Sequence, residues 1–275
     1  MNFFNFFNKW IFPFVILIVI FMLTNIWVVI FVILSFIAYK IFVNRDFFYS
    51  VKAKRCVGES DYLNAVRNYS LAINVNSNKP AYHLEKGYTL MMLGDFEEAK
   101  KVLTSINTSK FPLNIYQSAQ SFLSIVEWKL GNLETAIKTT EQLHEQNYYT
   151  TTTYGNLTYF YILNGQYDKA LALSKEAYDY NSSDAAIIEN SARIHHLTGD
   201  TEQALKLYKQ LEEKNPRYPE AWYNYALLLI DLEMYQDANI AINKCLAQEF
   251  TALTAITQDN AKQLNETIQI KLSNQ

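Results

Sequence analysis

Hydrophobic residues follow two different patterns along this chain. From Trp10 to Tyr39, thirty residues pass without a charge, and the apolar run is interrupted only by Pro13, Thr24, Asn25 and Ser35. After residue 45, apolar residues recur instead with helical spacing, as Trp222, Tyr225, Ala226 and Leu229 do at i, i+3, i+4 and i+7. The first pattern predicts a membrane-spanning segment, and the second predicts amphipathic helices.

The apolar segment is long enough to cross a bilayer. A helix of thirty residues spans about 45 Å, against a hydrocarbon core of about 30 Å. A cleaved signal peptide does not fit this segment. The apolar region of a signal peptide is shorter and is followed by a small-x-small cleavage site, which Ser35–Lys40 does not provide. We therefore expect a tail at 1–9 and a retained membrane segment at 10–43. One tilted span is the favoured interpretation, and a short hairpin turning at Thr24-Asn25 is the alternative.

Basic residues predict the orientation of this segment. Lys9 precedes it, whereas a larger group of cations follows it: Lys40, Arg45, Lys52, Lys54 and Arg55. The excess places the rest of the chain in the cytoplasm, attached to the cell membrane. Residues 1–45 hold three of the 24 basic residues and no acidic one, which leaves 21 basic against 27 acidic residues beyond them. This acidic balance argues against a nucleic-acid partner.

A period of 34 residues organises the chain beyond the apolar segment. Gly131, Gly165 and Gly199 are spaced by 34, as are Ala136, Ala170, Ala204 and Ala238. Units are predicted to start near 46, 80, 117, 151, 185 and 219, forming an array over 46–250. The step from Gly94 to Gly131 is 37, which places three extra residues within 107–116, in the loop around Pro112. Residues 251–275 are predicted to form a capping helix and tail.

The units resemble tetratricopeptide repeats (TPRs), in which large apolar, Gly and Ala residues stand at fixed places in a helix-turn-helix. The unit from Thr151 carries Tyr154, Leu157, Tyr161, Gly165, Tyr167, Ala170 and Ala177 at those places. The resemblance implies an all-α, right-handed superhelical solenoid of about six units, following an N-terminal transmembrane helix.

The sequence holds no motif for catalysis, a metal or a cofactor, so we do not expect an enzyme. HExxH, GxxxxGK[ST], GxSxG and zinc-type Cys/His spacings are all absent. Cys56 and Cys245 are 189 positions apart and are expected to be reduced core thiols. Neighbouring His195 and His196 point to different helix faces and cannot form an i, i+4 metal pair.

The TPR resemblance implies a concave groove lined by the first helix of each unit. Carried over by position, the peptide-binding places hold Tyr88, Trp128, Asn156, Tyr159, Asn190, Arg193, His196, Tyr223 and Asn224. Three of these, Asn156, Asn190 and Asn224, are spaced by 34 and are similar to the asparagine ladder of O-linked N-acetylglucosamine transferase. A side-chain amide offers a donor and an acceptor to any peptide backbone. The alternative interpretation is that these positions serve packing and repeat consensus.

Together these features predict a membrane-tethered scaffold that binds a protein or an extended peptide. The layout resembles that of bacterial membrane-anchored TPR proteins of envelope assembly. Two alternatives stay open: a structural subunit of a larger membrane complex, and a regulatory subunit of an enzyme encoded elsewhere.

Overall fold

The computed structural model describes residues 12–23 and 26–274, which form helices and no strand. Two helices cover the apolar segment: α1 (Phe12–Leu23) and α2 (Ile26–Val43). Twelve further helices form six consecutive pairs. The pairs are α3 (Arg45–Gly58) with α4 (Tyr62–Val75), α5 (Pro80–Leu93) with α6 (Phe96–Thr104), α7 (Leu113–Lys129) with α8 (Leu133–Glu145), α9 (Thr151–Leu163) with α10 (Tyr167–Asn181), α11 (Ala185–Leu197) with α12 (Thr201–Glu213), and α13 (Pro219–Asp231) with α14 (Tyr235–Leu246). A last helix, α15 (Gln258–Ser273), follows them.

The apolar segment is folded back on itself. Phe12 of α1 and Phe36 of α2 line the same apolar cavity of about 550 Å³. In one continuous helix these residues would lie roughly 36 Å apart, because each residue adds about 1.5 Å. Helices α1 and α2 therefore lie side by side rather than end to end; whether the segment crosses a membrane as one span or as a hairpin stays a prediction, and Thr24 and Asn25 lie outside the described residues, as does the tail at 1–9. One described helix, Ile26–Val43, is long and apolar enough to cross a membrane.

Glycine turns join the two helices of a unit. Gly94, Gly131, Gly165 and Gly199 have φ values between 68° and 87°, a left-handed conformation that costs other residues about 1–2 kcal/mol. The second helix then starts from a capping residue in several units. The side chains of Asp95 and Asp200, for example, accept hydrogen bonds from the backbone N–H three residues later. The periodic Gly positions are thus a requirement of the backbone.

Small residues allow the helices of the array to approach closely. Ala136, Ala170, Ala204 and Ala238 are fully buried, and large aromatic side chains such as Tyr208 and Trp222 fill the spaces between units. First helices of successive units also contact one another, as α5 does with α7, α9 with α11, and α11 with α13. These first helices form one row, and this row carries the candidate groove.

The third unit departs from the predicted boundaries. Its first helix begins at Leu113, directly after Pro112, whereas the repeat pattern suggests a start near 117. Helix α7 has 17 residues and the preceding α6 has only nine, so part of the extra length lies in α7 as well as in the loop. The first and last units use Ser60, with φ 57°, and Glu233, with φ 60°, where the four units between them have Gly.

The C-terminal cap begins later than predicted. Helix α15 starts at Gln258 and packs on α14, with Ala261 and Ile268 buried in the shared core. The segment 251–257 is not helical. The hydrogen bond from Thr254 N–H to the Thr251 carbonyl, 3.1 Å long, closes a β-turn at its start. The extension of the cap to residue 251 is therefore wrong, and these residues lie against the row of first helices.

Candidate peptide-binding groove

A cavity of about 420 Å³ lies along the row of first helices. Four of the predicted binding residues line it: Trp128 at the end of α7, Asn156 and Tyr159 on α9, and Asn190 on α11. Successive first helices bring them together because equivalent positions recur once per unit. The tertiary structure thus gathers about half of the predicted set into one groove.

Aromatic rings form one wall of this groove. The rings of Trp128 and Tyr159 meet edge-to-face, with centroids 5.2 Å apart. The guanidinium of Arg193 lies 5.4 Å from the Tyr159 ring centroid, within range of a cation–π interaction. Burial raises the pKa of the Tyr159 hydroxyl to about 12, although Arg193 opposes the rise. The hydroxyl is therefore a neutral hydrogen-bonding group at physiological pH.

The three asparagines of the predicted row do not present the same groups. Asn190 Nδ2 donates to the Gly155 carbonyl at 2.9 Å, and Asn224 Nδ2 donates to Glu189 Oε1 at 2.7 Å. Asn156 Nδ2 and Asn190 Oδ1 are buried and have no hydrogen-bond partner among the described residues. One amide donor and one amide acceptor on residues that line the groove therefore lack a partner within the described chain, while the amide donor of Asn224 is used inside the array.

A buried carboxyl forms part of the groove floor. Glu189 of α11 is buried and lines the same cavity. Burial raises the pKa of this carboxyl, while nearby Arg193 and the hydrogen bond from Asn224 lower it. Because an unpaired buried charge is costly, Arg193 and Asn224 act as its compensating partners. Position 189 precedes Asn190 in the repeat, and the repeat pattern alone does not mark it as a groove residue.

The remaining predicted residues lie outside this cavity. Tyr88 is exposed on α5 and its ring meets Phe122 of α7 at 5.7 Å. His196 Nε2 lies 2.8 Å from Asp231 Oδ2 on α13. Tyr223 packs against the core cluster of the last units. Contact of these residues with a ligand stays a prediction.

The β-turn after α14 reaches into the groove. Lys129 Nζ donates to the Thr254 carbonyl at 2.8 Å, and the Ala255 N–H donates to the Glu220 carboxylate. Burial lowers the pKa of Lys129, and nearby Glu220 opposes the change. Lys129, Glu220 and the turn are absent from the sequence-based set. The one available signal was the uncharged stretch Thr251–Thr257 between two charged helices.

Within the described residues, no group of three or more His, Cys, Asp or Glu side chains could hold a metal ion. Cys56 and Cys245 are free and buried. Burial raises the pKa of Cys245 to about 12, so its sulfur is a neutral thiol rather than a nucleophilic thiolate. The side chains that line the groove are of types that can form hydrogen bonds and aromatic contacts with a ligand.

Comparison with known proteins identifies the repeats. Residues 161–216 and 196–252 match the family model described as "Tetratricopeptide repeat". Residues 161–252 therefore carry tetratricopeptide repeats. No curated protein matches the sequence.

Solved structures show the same fold over most of the chain. A tetratricopeptide repeat protein from Parabacteroides merdae is 12% identical, with a TM-score of 0.65 over 82% of this chain and 84% of its own. A thermophilic TPR protein of Thermus thermophilus is 19% identical, with a TM-score of 0.57 over 70% of this chain and 99% of its own. A chain of the APC/C hetero-tetramer Cut9–Hcn1 is 12% identical, with a TM-score of 0.66 over 81% of this chain and 42% of its own. The all-helical TPR solenoid is thus shown beyond the matched repeats.

Proposed function

We propose that this protein is a membrane-tethered TPR scaffold that binds a segment of a partner protein in the groove of its first helices. The observation that carries the proposal is the groove itself. It joins an aromatic wall, Trp128 and Tyr159, to a buried amide donor on Asn156 and a buried amide acceptor on Asn190, neither of which has a partner in the described part of the chain. Aromatic anchors beside unmet backbone-type hydrogen bonds suit an incoming peptide segment.

The exposed apolar surface of α1 and α2 supports the tether. Helix α2 has 18 residues, or about 27 Å, which nearly matches a hydrocarbon core of about 30 Å. Most of its side chains are exposed in this fold, and a contiguous apolar surface of this kind marks a membrane or protein contact. Helix α1, with 12 residues, reaches about 18 Å and covers part of that depth beside it.

The charge distribution favours the cytoplasmic face. The cations from Lys40 to Arg55 all follow the apolar segment directly. Clustered cations next to an apolar segment favour the cytoplasmic side. The tether would confine the array to the membrane surface and raise its effective concentration there for membrane-associated partners. A role in envelope assembly fits this arrangement.

Site-specific photo-crosslinking in intact membranes tests the groove. A photoreactive residue would replace Thr152 or Ala186, two exposed residues that line the cavity. Lys209, exposed on the second helix α12, provides the control position. We expect one defined partner band from the groove positions, weakened by Tyr159→Ala, and no such band from position 209. Equal labelling from both faces, or a band unchanged by Tyr159→Ala, would refute the groove.

The cavity between α1 and α2 favours a second candidate, a structural subunit of a membrane complex. Apolar side chains from both helices line this space of about 550 Å³, which a helix of another subunit could fill. Replacing residues 1–44 with an unrelated membrane anchor separates the two functions. A tethered scaffold keeps its activity after the exchange, whereas a subunit that packs through α1 and α2 loses it despite normal insertion.

A further inference from the structure

The turn from Thr251 to Ala255 occupies the groove and is held there from several sides. On one side the Lys129 ammonium, 125 positions away in sequence, donates to the Thr254 carbonyl at 2.8 Å. On another side the Ala255 N–H donates to Glu220. Leu253 packs against the apolar cluster of α5 to α7. The turn therefore contacts units that are distant in sequence.

Backbone groups make the polar contacts between the turn and the groove. Lys129 and Glu220 recognise a carbonyl and an N–H, which almost every peptide carries. The hydroxyl of Thr254 is used within the turn, where it accepts from the Thr251 N–H at 2.8 Å. Leu253 supplies the one large apolar side chain. Another peptide with an aliphatic residue at that place could make the same set of contacts.

The turn leaves hydrogen-bonding capacity of the groove unused. Asn156 and Asn190 line the groove, yet no group of the described residues pairs with Asn156 Nδ2 or Asn190 Oδ1, which are both buried. Buried polar atoms without partners are unfavourable, so a ligand that satisfies them gains over one that does not. A peptide segment that lies deeper in the groove than the turn and pairs with both atoms would therefore bind more tightly than a turn segment of the same length.

We propose that the turn Thr251–Ala255 is an internal ligand of the groove, and that a partner protein binds by displacing it. The proposal rests on the groove function above. The displacing segment carries small, uncharged residues and one aliphatic side chain. Its backbone takes over the contacts with Lys129 and Glu220, and its next peptide group pairs with Asn156 and Asn190. Because the turn is tethered, it competes at high effective concentration and keeps the array in a weakly binding state.

A binding assay with the turn supplied as a separate peptide tests this. The probe is a fluorescent synthetic peptide with the sequence of residues 248–257, added to the full chain in detergent micelles. One variant replaces Thr251–Ala255 by Gly-Ser-Gly-Ser-Gly, which keeps α15 attached through a flexible linker. We expect fluorescence anisotropy to show binding about tenfold tighter to this variant than to the wild type, whose groove is occupied.

Two further substitutions in the linker variant locate the binding site. Lys129→Met removes the donor to the peptide carbonyl and should abolish the gain in affinity. Lys209→Met, on the exposed surface of α12, should leave that gain intact. Equal weakening by both substitutions would indicate nonspecific attraction of the probe and would contradict the proposal.

A second variant covers the case in which the linker variant does not fold. Leu253→Ala removes the aliphatic anchor alone. We expect faster amide hydrogen exchange at residues 252–255 and probe binding tighter than in the wild type. The proposal is wrong if amide exchange at residues 252–255 stays slow and the affinity for the probe does not increase. It is also wrong if a folded linker variant does not bind the probe. In either case the turn has only a structural role. Photo-crosslinking from Thr152 is independent of this result, so failure of the groove function and failure of the internal ligand are separable.

Discussion

The hairpin and the repeat array are both rich in apolar residues, yet they place them oppositely. In the hairpin, Phe31 is 70% exposed, whereas in the array Phe160 is 1% exposed. Large apolar side chains of the array pack against small residues of neighbouring helices, and polar residues cover their outer faces. The hairpin is apolar on all sides, so two helices cannot bury it. The array therefore supplies its own core, whereas α1 and α2 leave most of their apolar side chains exposed.

Matched phenylalanine substitutions give the largest expected contrast. Phe160→Ala should lower the unfolding free energy of the array by about 3–5 kcal/mol, because it removes a fully buried ring and leaves a cavity. Phe31→Ala should change that free energy by less than about 0.5 kcal/mol. Chemical denaturation of the full chain in micelles, followed by circular dichroism, measures both. Similar losses from the two variants would mean that the hairpin contributes to the core of the array.

Matched lysine substitutions should reverse the contrast when membrane insertion is measured. Leu34, near the middle of α2, and Leu63, on α4, are both exposed, at 59% and 69%. Leu34→Lys should disfavour insertion by about 2.5–3.5 kcal/mol, the cost of a cation at the centre of a span. Leu63→Lys should have no such effect, because that side chain faces water. The fraction of protein that stays in the membrane after an alkaline wash distinguishes them, and equal retention would argue against the span.

Glycine substitutions sharpen the comparison at the level of the backbone, since all seven glycines lie in the array. Gly131 has φ 87°, so Gly131→Ala should destabilise the array by about 1–2 kcal/mol even though space is free around it. Gly58, the last residue of α3, also has free space but lacks the positive φ. Gly58→Ala should stabilise by about 0.5–1 kcal/mol, because it removes backbone freedom from the unfolded chain. Melting temperatures of the two variants should therefore move in opposite directions.

The smallest expected effect concerns the buried carboxyl of the groove. Burial raises the pKa of Glu189 above the ordinary 4.5, so the native state keeps the proton to a higher pH than the unfolded state does. The associated stability is present below pH 4.5 and is lost as the pH rises through the folded pKa. Between pH 4.5 and the folded pKa, the melting temperature of the wild type should therefore fall relative to that of Glu189→Gln. Glu202→Gln, at an exposed position, should show the same pH dependence of the melting temperature as the wild type. If the melting temperatures of all three proteins changed in parallel with pH, the raised pKa of Glu189 would be contradicted.

The candidate site was predictable only in part. Trp128, Asn156, Tyr159 and Asn190 were found from the sequence because equivalent positions recur once per unit and face the same way. Whether the side chain of each residue is already hydrogen-bonded within the array depends on neighbouring residues that the repeat pattern does not specify. Asn224 occupies the same repeat position as Asn190, yet its amide donates to Glu189 because a carboxyl happens to precede Asn190 on the adjacent helix.

The sequence by itself determined the all-α repeat fold, the turns at Gly131, Gly165 and Gly199, and the separate apolar segment. These features follow from local rules: the helical period, the left-handed conformation of Gly, and a hydrophobic length matched to a bilayer. Tertiary structure alone decided that α1 folds back on α2, and that the turn Thr251–Ala255 enters the groove. Both features depend on contacts between segments whose separation in the sequence does not follow the repeat period. Lys129 and Thr254 are 125 positions apart, and they meet only in the assembled array.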